Sequence, residues 1–106
     1  MEYDKQAALE INKLHTRLPL WKKNPQQFNS TILRIFLELV DKNGLAERKI
    51  LKREFLLRTD PANDFYGNFA QMCNFGERNH GKVFELVGDK VKLWEPIANY
   101  VKELFC

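Results

Sequence analysis

Two stretches decide the fold: Asn63-Asp64-Phe65-Tyr66-Gly67-Asn68-Phe69-Ala70-Gln71-Met72-Cys73-Asn74 and Lys82-Val83-Phe84-Glu85-Leu86-Val87-Gly88-Asp89-Lys90-Val91-Lys92-Leu93-Trp94. In the first, Phe65, Tyr66, Phe69, Met72 and Cys73 share one side of a helical wheel. Asn63, Asp64, Gly67, Asn68, Gln71 and Asn74 share the other, and no Lys or Arg falls between Asp60 and Glu77. After Gly76 the period switches to two, which predicts a pair of strands. Gly88-Asp89 is the two-residue connector between them, and Gly in its first place suits a type II′ or related tight turn. Val83, Leu86 or Val87, Val91, and Leu93 or Trp94 compete for the hairpin's inner face. The order is an amide-faced helix followed by a compact ribbon.

Working outward, a first helix is expected from about Asp4 to Leu18, with Tyr3, Ala7, Ile11, Leu14 and Leu18 on one face and Pro19 ending it. Leu20-Trp21-Lys22-Lys23 reads as a connector, and Asn24-Pro25 as the N-cap and first turn of a second helix. That helix carries Phe28, Ile32, Ile35, Phe36 and Leu39 inward and stops at Asn43-Gly44. A third spans about Ala46 to Leu57, and the amide-faced helix starts near Asp60-Pro61 or Asn63. From Pro96 a closing helix turns Ile97, Tyr100, Val101 and Leu104 inward, and a short segment at Leu45 is placed to add a third strand. The expected class is mainly α with a small β-hairpin, α+β, in the order α-α-α-α-β-β-α. Residues 1–106 form one domain: an N-terminal extension over 1–23, a core over 24–96 and the closing helix over 97–106.

Composition sets outer bounds. Hydrophobic residues make up 44% of the 106, with 8 Phe, 3 Tyr and 2 Trp, enough to bury a core and to exclude a disordered chain. A net charge of +3 excludes a histone-like polycation. The charge is uneven, because residues 1–60 hold 12 Lys/Arg against 8 Asp/Glu and residues 61–106 hold 5 against 6. Met1-Glu2-Tyr3-Asp4 shows no signal-peptide pattern, and no apolar run reaches the roughly 18 residues of a membrane span. With no secretory signal, Cys73 and Cys106 are expected as reduced thiols and the protein as cytoplasmic.

The third helix is basic on one arc, where Arg48, Lys49, Lys52 and Arg53 sit together while Ile50, Leu51 and Phe55 point elsewhere. Such an arc neutralises phosphates and fixes register without reading sequence. It lies directly before the amide-faced helix, where a helix-turn-helix keeps its supporting helix. Asn68, Gln71 and Asn74, at i, i+3 and i+6, are expected to offer amides to base edges, since Asn and Gln pair in bidentate fashion with adenine in the major groove. Asp64 on that face repels phosphate unless it accepts from a cytosine amine. Lys82, Lys90 and Lys92 are free on the hairpin to meet phosphate, equally the residues that guard a sheet edge. Arg78, between helix and hairpin, is the best single phosphate contact there.

The stretch Phe69 to Trp94 resembles the helix-plus-wing half of winged helix-turn-helix domains. Its Gly81-Lys82-Val83-Phe84-Glu85 strand and Val91-Lys92-Leu93-Trp94 return are similar in style to winged domains attached to prokaryotic restriction endonucleases. The resemblance covers residues 30–96 at most, with loose motifs. It implies a non-catalytic module for double-stranded DNA, the specificity part of a linked nuclease or a small transcription regulator. The amphipathic first helix gives a homodimer through residues 1–18 as an expected partner, the alternative being a linked catalytic domain. The competing expectation is a winged fold that binds protein, favoured by an uncharged reading helix and by exposed aromatics such as Tyr66 or Trp21.

Enzyme readings find little. Glu47-Arg48-Lys49 matches a nuclease Glu-x-Lys but sits on a predicted helix with no acidic strand before it. There is no phosphate-binding glycine loop and no nucleophile elbow. Zinc would need the scattered His15, Cys73, His80 and Cys106. No cofactor, metal or catalytic residue is expected.

Overall fold

In the computed structural model, which describes residues 2–106 with side chains from residue 5, five helices surround a small antiparallel sheet. In chain order these are α1 (Glu2–Lys23), α2 (Phe28–Leu39), β1 (Ala46–Glu47), α3 (Arg48–Arg58), α4 (Phe65–Cys73), β2 (Phe84–Val87), β3 (Lys90–Leu93) and α5 (Glu95–Phe105). The α+β class stands. None of the described helices is long and apolar enough to cross a membrane.

The first helix runs past its expected end. Pro19 lies inside α1, and Leu20 to Lys23 continue the helix rather than connecting it. An interior proline costs about 3 kcal/mol, partly because the carbonyl four residues back loses its donor. That carbonyl is His15's, and the Tyr100 hydroxyl of α5 donates to it at 3.3 Å, with the two rings stacked at 4.3 Å. Continuation also carries Trp21 into the core beside Leu14 and Leu18. Burying an indole's 150–250 Å² contributes about 4–6 kcal/mol, so burial wins over the proline. Trp21 is therefore a core residue, not an exposed aromatic. Tyr3, assigned to the same face, has a side chain outside the described residues.

Asn24 closes α1 instead of opening α2: its Nδ2 donates to the Leu20 carbonyl at 2.8 Å. A turn over Asn24 to Gln27 follows, and Gln27 is the N-cap of α2. At the far end α2 stops at Leu39, short of Asn43-Gly44. Asp41 builds a competing turn, its Oδ1 accepting from the amides of Leu45 and Asn43, which also hold its carboxyl below the usual range. Gly44, at φ +80°, lets the chain double back into β1.

The strand order is β1-β3-β2, all antiparallel. The segment predicted at Leu45 is realised one residue later: Ala46 pairs with Val91 and Glu47 with Lys90, so α3 begins at Arg48. Across the hairpin Phe84 faces Leu93 and Leu86 faces Val91, and Gly88 turns at φ +61° with no positive φ at Asp89, as a type II′ turn requires. Phe84, Val83, Val91 and Trp94 are buried, whereas Leu86 and Val87 at the tip are exposed.

A chain of aromatic contacts ties these elements together. Phe55 of α3 meets Phe65 of α4 at 5.7 Å, Phe65 stacks on Phe69 at 5.1 Å, Phe69 meets Phe84 of β2 at 5.6 Å, and Phe84 meets Phe36 of α2 at 5.1 Å. In α5, Ile97 and Val101 are buried and Tyr100 and Leu104 half-buried, as the periodicity requires.

α1 clasps the loop that leads from α4 to β2. Glu10, 5% exposed, accepts from the amides of Lys82 (3.1 Å) and Gly76 (3.3 Å). Lys13 pairs with Glu10 at 3.0 Å and donates to the Gly76 carbonyl. Arg17 donates to the carbonyls of Asn79 (2.7 Å) and His80 (3.0 Å). No buried side-chain nitrogen or oxygen among the described residues is left without a partner, as a buried charge demands.

Candidate nucleic-acid interface

The cations of α3 divide by partner. Arg58 is forked onto Glu38 at 2.7 Å and reaches Glu54 at 3.2 Å, which holds the Glu38 carboxyl below its usual value. Arg48, Lys49, Lys52 and Arg53 make no ion pair among the described residues. Leu51 and Phe55 fix the inward face of α3, which leaves Lys49 and Arg53 exposed and Arg48 and Lys52 on the flank towards α4. Lys52 Nζ lies 4.4 Å from the centre of the exposed Tyr66 ring. The hairpin joins this arc directly, for the Arg48 amide donates to the Asp89 carbonyl at 3.0 Å. That bond brings Lys90 beside Lys49, with Glu47 and Asp89 between them.

The hairpin lysines do not act together. Lys90 is exposed beside the α3 arc. Lys92 borders a different hollow, with Asn43, Glu95 and Lys102. Lys82, expected as a free phosphate contact, is turned inward: its Nζ donates to the Cys73 carbonyl at 2.9 Å and lies over the rings of Phe75 and Trp94. A cation at the C-terminal carbonyls of α4 is favoured by the helix dipole. Arg78 is exposed on the turn from Gly76 to Asn79.

On α4 the amides behave differently from one another. Asn68 Nδ2 donates back to the Asp64 carbonyl at 2.7 Å, which turns its Oδ1 to His80 Nε2 at 3.0 Å. The imidazole therefore carries its proton on Nε2, and burial together with the Arg17 charge holds its pKa below the usual value. Asn74 is the C-cap residue, its Nδ2 bonded to the Ala70 carbonyl at 2.9 Å. Gln71 alone of the three has no side-chain hydrogen bond within the described residues. Asp64 is the N-cap, accepting from the Gly67 amide at 2.8 Å. The solvent face is instead Tyr66, Ala70 and Asn74, with Tyr66 58% exposed although the wheel placed it inward. A nine-residue helix covers the core through Phe65, Phe69, Met72 and Cys73, and the next position round stays outside.

The Cys73 thiol is pushed up to about 11 by burial, against the pull of Lys82 and Arg48, so it stays protonated near neutrality. Among the described residues no three His, Cys, Asp or Glu side chains gather as metal ligands do. Sequence reasoning missed the clasp residues Glu10, Lys13 and Arg17, which set the loop carrying Arg78. Their signal was a polar stripe at i, i+3 and i+7 beside the Leu14–Leu18 core stripe.

Comparison with protein-family models, curated proteins and solved structures finds no match. The surface has to be read from its own chemistry. It can neutralise phosphates along α3 and at Lys90, and it offers one uncommitted amide and an aromatic ring on α4.

Proposed function

We propose that this chain is a winged helix-turn-helix domain that grips double-stranded DNA and carries no catalytic centre of its own. The helix order α2, α3, α4 with strand order β1-β3-β2 supports the winged reading, with α3 as supporting helix, α4 as reading helix and β2–β3 as wing. One observation carries the function: Arg48, Lys49, Lys52, Arg53 and Lys90 form a single unpaired cationic border along α3 and the hairpin turn, beside an uncovered α4. Although Glu47 and Asp89 lie near Lys49 and Lys90, none of the five cations is in an ion pair among the described residues, so each keeps its charge for an external polyanion. Base reading falls to Gln71, since Asn68 and Asn74 are engaged with the backbone and His80. Attachment to a nuclease as its specificity part, or action as a small regulator, both fit such a module.

Binding of a labelled random-sequence duplex, followed by fluorescence anisotropy at low and moderate salt, tests the reading. Steeply salt-dependent binding is expected, with Gln71→Ala erasing preference at one or two base pairs while leaving affinity for non-specific sequence in place. Absence of binding at low salt by the folded protein would refute it. A protein-binding module is the second reading, favoured by exposed Leu57, Tyr66, Leu86 and Val87. It gains if substitution of Leu57 and Tyr66 abolishes capture of a partner while the Arg and Lys variants do not.

A further inference from the structure

With its other side sealed against the core, α4 turns outward a row that carries no charge. From Phe65 to Asn74 there is no Lys, Arg, Asp or Glu, and Tyr66, Ala70 and Asn74 form the exposed line at i, i+4 and i+8. Asn74 donates its amide to the Ala70 carbonyl, so the first two positions present a phenol ring and a methyl group. The ring is held rather than loose: Lys52 Nζ sits 4.4 Å from its centre, and Phe65 meets it edge-on at 5.6 Å. A partner that packs on such a ring has little left to order. Gln71, next to Ala70, adds an amide with no internal partner among the described residues. Cations stand beside this row and not on it, with Arg48 and Lys52 on the neighbouring flank of α3.

We infer that this row reads the C5-methyl group of a pyrimidine in the major groove, with Tyr66 and Ala70 packing on the methyl and Gln71 meeting the adjoining base edge. That methyl is the apolar group that base edges carry there: thymine bears it, and cytosine lacks it unless methylated. Alanine and aromatic side chains are among the types that contact it. An uncharged row between cations suits such a group, because the cations on the flank take the phosphates and the row itself has nothing to hold one. Tyr66 and Ala70 lie about 6 Å apart along the helix axis, which spans two base-pair steps of about 3.4 Å. One or two positions of a site are therefore read in this way. The inference rests on the DNA reading proposed above and names the bases that reading selects, with thymine and 5-methylcytosine as the two sources of the methyl.

The test selects a preferred site from two random duplex libraries, one built with cytosine and one with 5-methylcytosine, and follows substituted versions of that site by anisotropy. Uracil replaces each thymine in turn, which removes the methyl and leaves pairing and phosphates unchanged. Loss of one packed methyl should weaken binding about fourfold at one or two positions and nowhere else. At those positions 5-methylcytosine should bind more tightly than cytosine by a similar factor. Tighter binding of the thymine site than of the 5-methylcytosine site assigns A·T pairs as the target, and the reverse assigns methylated DNA. Tyr66→Ala, at a ring 58% exposed, keeps the fold. It should erase the thymine–uracil difference at one position while the salt slope set by the α3 cations stays, and Tyr66→Phe should retain the difference. Equal binding of thymine and uracil sites, absence of any preferred site, or discrimination that survives Tyr66→Ala at every position overturns the methyl reading. If salt-dependent duplex binding persists in those cases, the DNA grip stands without it. A folded protein that binds no duplex overturns both.

Discussion

Removing Arg53 should change the salt dependence of duplex binding, whereas removing Arg58 five residues later should not. Both lie on α3 and both are arginines, yet Arg58 is already neutralised by Glu38 at 2.7 Å and Glu54 at 3.2 Å, and Arg53 is exposed and unpaired among the described residues. If Arg48, Lys49, Lys52, Arg53 and Lys90 each neutralise one phosphate, the slope of log K against log salt is about −4.5, at about −0.9 per contact. Raising salt fourfold then weakens binding about 500-fold. Arg53→Ala should reduce the slope to about −3.6 and the weakening to about 150-fold, equally on every sequence. Arg58→Ala should leave the slope in place and cost little stability, as exposed ion pairs do. Anisotropy titrations at several salt concentrations measure both slopes, with thermal melts as the control for folding. Equal reductions in the two variants, or a parent slope near zero, would show that the ion-pair geometry does not select which cations meet DNA.

Other perturbations address the groups that hold the interface in place. Glu10→Ala should destabilise the fold by about 2–4 kcal/mol, because it strands two amides and Lys13 in a buried site; urea melts measure the loss, and hydrogen exchange should accelerate at Gly76 and Lys82 first. A thiol reagent at pH 8 should modify Cys106 alone in the native protein and both cysteines in denaturant, since the Cys73 thiol lies at about 11 and is buried. Equal native reactivity would contradict that burial. His80 is held below its unfolded pKa, so the unfolded chain binds more protons and stability should fall as pH drops below about 6.5; His80→Gln should flatten that part of the melting-temperature profile.

Legibility in the sequence followed how local each signal was. The hairpin turn and α5 depend on neighbours a few residues apart, and both stand as read. The third strand lies within a residue of its expected place, for Leu45 is followed at once by the pairing residues Ala46 and Glu47. Pro19 misled because its compensation comes from Tyr100, a residue 81 positions away in the sequence, and from Trp21 burial that no local rule weighs. The expected base-reading triad divides for a different reason. A wheel assigns faces, but it does not reveal that Asn68 and Asn74 each turn an amide onto their own helix, the habit that makes asparagine a helix-end residue. Lys82 was similarly a surface lysine by alternation and an internal one by contact with Cys73.

The clasp of Glu10, Lys13 and Arg17 means that α1 is no detachable appendage. The bearing of Arg78 and the entry of the hairpin are fixed by side chains from more than sixty residues upstream, as the Lys13 bond to Gly76 spans 63 positions. Grafting the segment from α2 to β3 onto another protein would transplant the helices but leave the loop without its mould. Swapping α1 between variants, by contrast, offers a handle for re-aiming Arg78 against α4 without touching either surface.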